Sequence, residues 1–264
     1  MKISSLYRSI RPMVSSLSTY VDPFYGPQHT PLAKGYAKTL PPSYFSSWKT
    51  SSMPGRNERP TTYKILGSGM ILLKNYVSLE NQIDIVNTCQ KWGMAGGFHK
   101  PVQLQRYVMC LGRNWDPETG YKERYTTKSD LPQQLISLAE AAVQDAQTPH
   151  LNPNELPSMR PDTCLVNYYP THGLSELHQD RDESFDSISS GLPVVYISIG
   201  EMAEFVYSHV RDESKLNTIF LRSGDVLIYG GKSRLIYHGV TQIAQYTSPL
   251  LGLGGHISLT FRQF

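Results

Sequence analysis

The sequence predicts a mainly β domain, a sandwich or barrel, with helices packed against one side. Three observations carry this. Short apolar runs recur at 165–169, 194–199, 203–207, 218–221, 226–229 and 257–262, separated by turn residues. Two stretches of helical period precede most of them. The last run alternates strictly, Ile257, Leu259 and Phe261 facing one way and His256, Ser258, Thr260 and Arg262 the other. A core against the first set leaves the second set to line a polar cavity.

Residues 1–60 stand apart. They hold eight of the 18 prolines and eleven serines, a composition that resists packing and predicts a flexible segment. Of the net charge of +3, this segment carries +6 (eight Lys/Arg against Asp22 and Glu58), so the other 204 residues carry −3. That balance excludes a globally basic nucleic-acid binder and requires any such face to be a local patch. Ile3, Leu6, Tyr7, Ile10, Met13, Val14 and Leu17 recur at helical spacing beside Lys2, Arg8 and Arg11, the profile of an organelle transit peptide. Two other readings stay open: an arm whose tyrosines, Trp48 and lysines contact nucleic acid, and a solvated tail. Without a transit function, cytoplasm and nucleus are the expected compartments. No apolar run approaches the roughly 20 residues of a membrane span. Cys89, Cys110 and Cys164 are scattered, odd in number and without a CxxC pair, so neither a disulfide framework nor a zinc ribbon is expected.

Order is expected from about residue 61, giving one domain over 61–264. A strand at 70–73 follows the turn Gly67-Ser68-Gly69. Ser78 is placed to cap a helix through about Trp92, with Leu79, Ile83, Val86 and Cys89 on its buried face. Asp130-Leu131-Pro132-Gln133 has capping-box spacing and opens a second helix, striped by Leu131, Leu135, Leu138, Ala142 and Val143. Between the helices, residues 99–128 carry six Lys/Arg against three acids, interleaved with Trp115, Tyr121 and Tyr125 around the turn 116–120. Such a stretch can grip a phosphate backbone and stack a base. A surface hairpin with a packed Trp has the same pattern.

Chemistry concentrates at His178-Gln179-Asp180. Residues i and i+2 on an extended segment point to one side, so both reach one ion. Gly224–Gly230, a turn, an apolar strand and a turn, delivers the chain to His238. Two imidazoles and one carboxylate on one face of a metal leave the opposite face open, as in non-haem Fe(II) oxygenases. An inward Arg262 adds a partner for an organic acid.

These residues resemble the AlkB family of Fe(II)/2-oxoglutarate dioxygenases over roughly residues 66–264. The resemblance rests on the runs Cys164-Leu165-Val166-Asn167-Tyr168-Tyr169, His178 through Glu183, Ser223-Gly224-Asp225-Val226, Ser233-Arg234-Leu235 through His238-Gly239, and Leu259-Thr260-Phe261-Arg262-Gln263. The run from Met109 through Asp116 is similar to the eukaryotic AlkB homologue one branch.

The resemblance implies a double-stranded β-helix, a jelly-roll core with N-terminal helices. It implies Fe(II) on His178, Asp180 and His238, with 2-oxoglutarate and O₂ on the open face. Asn167 and Tyr169 are expected at the distal end of 2-oxoglutarate, Arg262 near its 1-carboxylate, and Ser258 in the same cavity. The family has an arginine for the 5-carboxylate six residues before its last one. This chain has His256 there, expected to serve when protonated. The implied reaction is oxidative demethylation of nucleobases in methylated DNA or RNA by a monomer. Residues 99–128 would form a nucleotide-recognition lid carrying Trp115 and Tyr121, and Asp182 and Glu183 would lie beside the extruded base. Two alternatives remain: a weakened relative that binds methylated nucleic acid without turnover, and a jelly-roll dioxygenase with a different substrate.

Overall fold

In a computed structural model, the residues described are 62–94, 97–101, 103–121, 131–147, 155–170, 175–248, 250 and 254–264. The expectations for residues 1–60, for the cap at Asp130, and for Tyr125 and the rest of 122–130 lie outside them. In chain order the elements are β1 (Thr62–Gly67), β2 (Met70–Lys74), α1 (Leu79–Met94), β3 (Tyr107–Leu111), β4 (Trp115–Asp116), β5 (Gly120–Tyr121), α2 (Gln133–Ala146) and β6 (Thr163–Tyr169). There follow α3 (Phe185–Ser189), β7 (Val194–Gly200), β8 (Met202–Ser208), β9 (Asn217–Leu221), β10 (Val226–Tyr229), β11 (Tyr237–Ala244) and β12 (His256–Arg262). No helix among the described residues is long and apolar enough to cross a membrane.

Seven strands form one antiparallel sheet in the order β1-β2-β10-β7-β12-β6-β3, and β11-β8-β9 form a second. This is the expected jelly-roll core. Every residue of β6, β7 and β12 is buried, so the centre of the large sheet is covered on both faces. The alternation of β12 divides the interior. Ile257, Leu259 and Phe261 join Val195, Ile197 and Ile199 under α1 and α2, with Ile85, Val86, Leu138 and Ala142. On the other face, Tyr196, Leu227 and Tyr229 meet Phe205, Leu221 and Val240 of the small sheet. Burial of these apolar side chains, at about 25 cal/mol per Å², is the main favourable term in folding.

Several details differ from expectation. On α1 the buried stripe is Gln82, Ile85, Val86 and Cys89, while Leu79 and Ile83 are 65% and 36% exposed. The sheet meets this helix one step around from the most apolar stripe, because Gln82 is drawn inward by bonds to Val77 O and Ser223 Oγ. Ser78 does reach the Asn81 amide, at 3.3 Å. At α2 the N-cap position is Pro132, without a side-chain cap. Within 99–128, Tyr107–Leu111 pairs with β6 at the sheet edge, and Trp115–Asp116 pairs with Gly120–Tyr121 as a hairpin. Strand β1 is mostly exposed on the opposite edge and carries little apolar signal. Its turn needs glycine, since Gly69 sits at φ +72° and a Cβ would fall 2.3 Å from Gly230 O.

Asp225 ties three segments together. Its carboxylate is 1% exposed, accepts from the Asn75 and Arg222 amides at 2.8 and 2.9 Å, and pairs with Lys74. Asp225→Ala strands buried donors, so we expect a loss of about 3 kcal/mol. Thermal unfolding should show that as a melting temperature lower by roughly 6–12 °C.

Candidate active site

The site begins with a two-hydrogen-bond bridge between segments 60 residues apart. His178 N donates to His238 O at 3.0 Å, and His238 N donates to His178 O at 2.8 Å. Antiparallel partners share a face, so the two rings lie together, 4.5 Å between centroids. Asp180, two residues on, turns to the same side. His178 Nε2 lies 3.9 Å from Asp180 Oδ1 and His238 Nε2 lies 3.7 Å from Asp180 Oδ2. Close approach is possible because Gly239 follows His238: a Cβ there would be 2.8 Å from Ser175 O.

This donor set fits a divalent first-row metal. One ligand atom from each of His178, Asp180 and His238 lies within 4.8 Å of the others, and the two histidine–carboxylate distances, 3.9 and 3.7 Å, are ones that an ion bound at about 2 Å from each can bridge. Both Nδ1 atoms are occupied, His178 by Glu176 O at 2.7 Å and His238 by Ile236 O at 3.2 Å. The Nδ1–H donates to the carbonyl, leaving the Nε2 lone pair facing inward. Burial pushes the His238 pKa down to about 4, with Asp180 opposing, so this imidazole is neutral and able to ligate at neutral pH.

Beneath the ligands lies a buried charge cluster. Arg262 NH2 donates to Asp180 Oδ1 at 2.6 Å, and Tyr229 OH to Oδ2 at 2.7 Å. Arg234 donates to Asp180 O at 2.6 Å and to Glu183 Oε2 at 2.8 Å. Arg262 Nε lies 2.9 Å from Glu183 Oε1 but is too poorly aligned for a hydrogen bond. Burial alone would raise the Asp180 pKa; Arg262 and the neighbouring cationic groups overcome it and hold the carboxyl well below the usual range.

Glu183 lines the cavity with the other residues expected beside a base. Its carboxylate is committed to the two arginines that brace Asp180. Arg262 is similarly committed to Asp180, Glu183 and Tyr121 OH, the last at 2.9 Å. Tyr229 and Arg234 were not assigned roles from sequence. Tyr229 reads as the end of an apolar strand, and only the spacing of Arg234 to His238 hints at its place.

The metal ligands open onto a cavity of about 650 Å³ lined also by Arg106, Asn167, Tyr169, Tyr196, Thr260 and Arg262. Asn167 is held from both sides, accepting from Arg106 Nε at 2.9 Å and donating to Ser258 Oγ at 3.2 Å. Ser258 and His256 are fully buried and do not line the cavity. His256 corrects the expected cationic role. Its Nδ1–H donates to Glu201 O at 2.8 Å and its Nε2 accepts from Tyr196 OH at 3.1 Å. Burial pushes its pKa down to about 4. The imidazole is a neutral brace within the sheet face.

Over the cavity sits the β4–β5 hairpin, closed by Asp116, whose Oδ1 accepts from the Glu118 and Thr119 amides, both at 3.0 Å. Trp115 Nε1 donates to Asp182 Oδ2 at 2.7 Å. Tyr121 hangs from Arg262 and meets the Phe264 ring edge-on. The hairpin thus brings Trp115, Tyr121 and Asp182 together at the cavity, which Glu183 also lines with its carboxylate held by Arg234 and Arg262.

Comparison with known proteins agrees with this geometry. Residues 69–262 match the model of the 2OG-Fe(II) oxygenase superfamily. A protein of Arabidopsis thaliana named DNA N(6)-methyladenine demethylase ALKBH1C is 43% identical over 224 residues, 76% of this chain and 49% of that protein. The alpha-ketoglutarate-dependent dioxygenase AlkB of Escherichia coli is 36% identical over 107 residues, covering 40% of this chain and 47% of its own. The chain thus spans about half the length of these relatives. The solved structure of OsALKBH1 superposes with a TM-score of 0.72 at 40% identity, covering 77% of this chain and all of that one.

Two outcomes are expected. Asp180→Ala should weaken Fe(II) binding on the order of a hundredfold or more, as it removes a ligand and takes the carboxylate partner from Arg262; Asp225→Ala should leave it unchanged in a metal titration. The second concerns acid stability of the metal-free protein. Unfolded, His238 and His256 titrate near 6.5; folded, near 4. Between those values only the unfolded chain holds the protons. Stability is constant above about pH 6.5 and falls toward pH 4, each group contributing up to about 1.4 kcal/mol per pH unit. Denaturant unfolding across that window should show a shallower slope for His256→Gln.

Proposed function

The chain belongs to the AlkB family of 2OG-Fe(II) oxygenases, and we propose that it demethylates nucleobases of DNA or RNA. The observation that carries this reading is the aromatic hairpin over the metal cavity, with the Trp115 indole held against Asp182. Stacking on an indole is tolerant of base identity and contributes about 1–3 kcal/mol per base. A carboxylate beside it accepts a hydrogen bond from an exocyclic amine, so together they suit a base swung out of its strand. Similarity to a relative named as a DNA N(6)-methyladenine demethylase supports the same substrate class.

Bound Fe(II), with 2-oxoglutarate and O₂, supplies the oxidation of the N-methyl carbon, after which the methyl group departs as formaldehyde. The protein's own contribution is positional. His178, Asp180 and His238 present one face of donors and leave the other toward the cavity. Arg262 and Tyr229 keep Asp180 ionised and fixed in orientation. Trp115, Tyr121 and Asp182 hold the base over the open face. Phosphate contacts fall to local basic side chains such as Arg181 at the cavity, consistent with the charge balance of 61–264.

Residues 1–60 have the composition of an organelle-directing segment, and a fluorescent fusion of them should collect in mitochondria or plastids. A diffuse signal would remove that part of the reading.

The deciding experiment is turnover on a panel of methylated DNA and RNA oligonucleotides, with formaldehyde and the demethylated base both measured. Trp115→Ala and Asp182→Ala should each lower kcat/KM about tenfold or more, yet leave substrate-free succinate formation near wild type. Consumption of 2-oxoglutarate with no demethylated base from any oligonucleotide would place the substrate outside nucleic acid.

A further inference from the structure

We propose that Arg106 anchors the distal carboxylate of 2-oxoglutarate, taking over from β3 the charge that β12 lacks at His256. The inference rests on the reading of this cavity as a 2-oxoglutarate site and does not depend on which substrate is demethylated.

The register places the residue. Val108 of β3 pairs with Asn167 of β6, and Ser258 of β12 pairs with the same Asn167. Next along, Tyr169 pairs with His256 on β12, and its neighbour Tyr168 pairs with Tyr107, the first residue of β3, so Arg106, one residue before that strand, comes up beside Tyr169. Alternation puts Asn167 and Tyr169 on the cavity face, and Arg106 lines the same cavity. Arg106 and position 256 thus bracket Tyr169 in one row across three strands. The Arg106 guanidinium folds back over that row, its carbon 5.7 Å from the Tyr169 ring centroid.

Its partners are incomplete. Arg106 is 7% exposed and lines the cavity. Its Nε donates to Asn167 Oδ1 at 2.9 Å. No carboxylate among the described residues pairs with it, and its two terminal nitrogens bond no described residue. The contrast with Arg234 and Arg262 is direct, since both of those reach Glu183. A buried guanidinium with no anion is costly. A planar fork with two free N–H groups matches a carboxylate in two-pronged geometry.

The neutral His256 does not supply that charge, as both its nitrogens are bonded within the fold. The chelating end of a 2-oxo acid belongs at the metal ligands. Its other carboxylate then lies farther along the cavity, toward Asn167 and Tyr169. Arg106 is the cavity-lining cation beside both.

The test is calorimetric binding to the full chain loaded with Mn(II), which does not turn over. Each protein is titrated with 2-oxoglutarate and with 2-oxopentanoate, which keeps the chelating end and lacks the distal carboxylate. Arg106→Gln should lose on the order of a hundredfold in affinity for 2-oxoglutarate and less than about threefold for 2-oxopentanoate. Arg106→Lys should recover part of the loss, and adding His256→Arg to Arg106→Gln should recover more. His256→Gln alone should change the two affinities equally. The ratio of affinities within one variant is insensitive to partial unfolding, which changes both alike. A wild-type ratio in Arg106→Gln overturns the assignment, as does a large change of ratio in His256→Gln. If Arg106→Gln gives the expected loss and no methylated oligonucleotide is a substrate, the anchor stands and the demethylase reading falls.

Discussion

Two carboxylates and two guanidiniums buried together hold the rest of this site in place. Asp180 and Glu183 carry two negative charges, Arg234 and Arg262 two positive. The cluster is neutral within itself, which is why it survives burial that none of its members tolerates alone. It also settles a competition. A buried carboxylate drifts toward its protonated form, and a protonated ligand does not bind metal. The arginines reverse that drift, and the hydroxyl of Tyr229 fixes the remaining oxygen. Because Arg262 comes from the centre of the large sheet and Arg234 from the turn before β11, the cluster joins both sheets beneath the ligands.

The sandwich divides labour between its faces. Under α1 and α2 the packing is apolar and continuous, and it gives rigidity. Between the sheets, aromatic and aliphatic packing closes one part, while the rest opens as the polar cavity. The same strands serve both purposes: on β12, Ile257, Leu259 and Phe261 look to the helices, while Thr260 and Arg262 line the site. Asp225 lies away from the site, and its bonds to Asn75, Lys74 and Arg222 hold the start of β10 against β2.

What the sequence disclosed, and what it hid, follows from how each residue acts. His178, Asp180 and His238 were legible because ligation needs particular residue types at particular spacings. The alternation of β12 and the apolar run of β10 were legible because burial imposes a period. The bonds of Glu183 and His256 were not legible because they depend on neighbours distant in sequence. Glu183 is defined by two arginines, one from β12, and His256 by Tyr196 and a carbonyl of Glu201. Arg106 was counted among basic residues of a presumed lid, since nothing local shows that its strand closes the large sheet. Likewise Leu79 and Ile83 carried the apolar signal of α1, yet a polar Gln82 set the helix rotation through bonds to a loop and a turn.

Strand β12 enters the large sheet between β6 and β7, partners lying far earlier in the chain. Before it docks, those two strands present unpaired edges, and the sheet is divided into halves with no hydrogen bonds between them. Closing it requires contacts of long sequence separation, the kind that makes β folds slow to form and exposes them to mispairing with other chains. The same insertion carries Arg262 to Asp180. The strand that joins the two halves of the sheet is thus also the one that gives the Asp180 carboxylate its arginine partner.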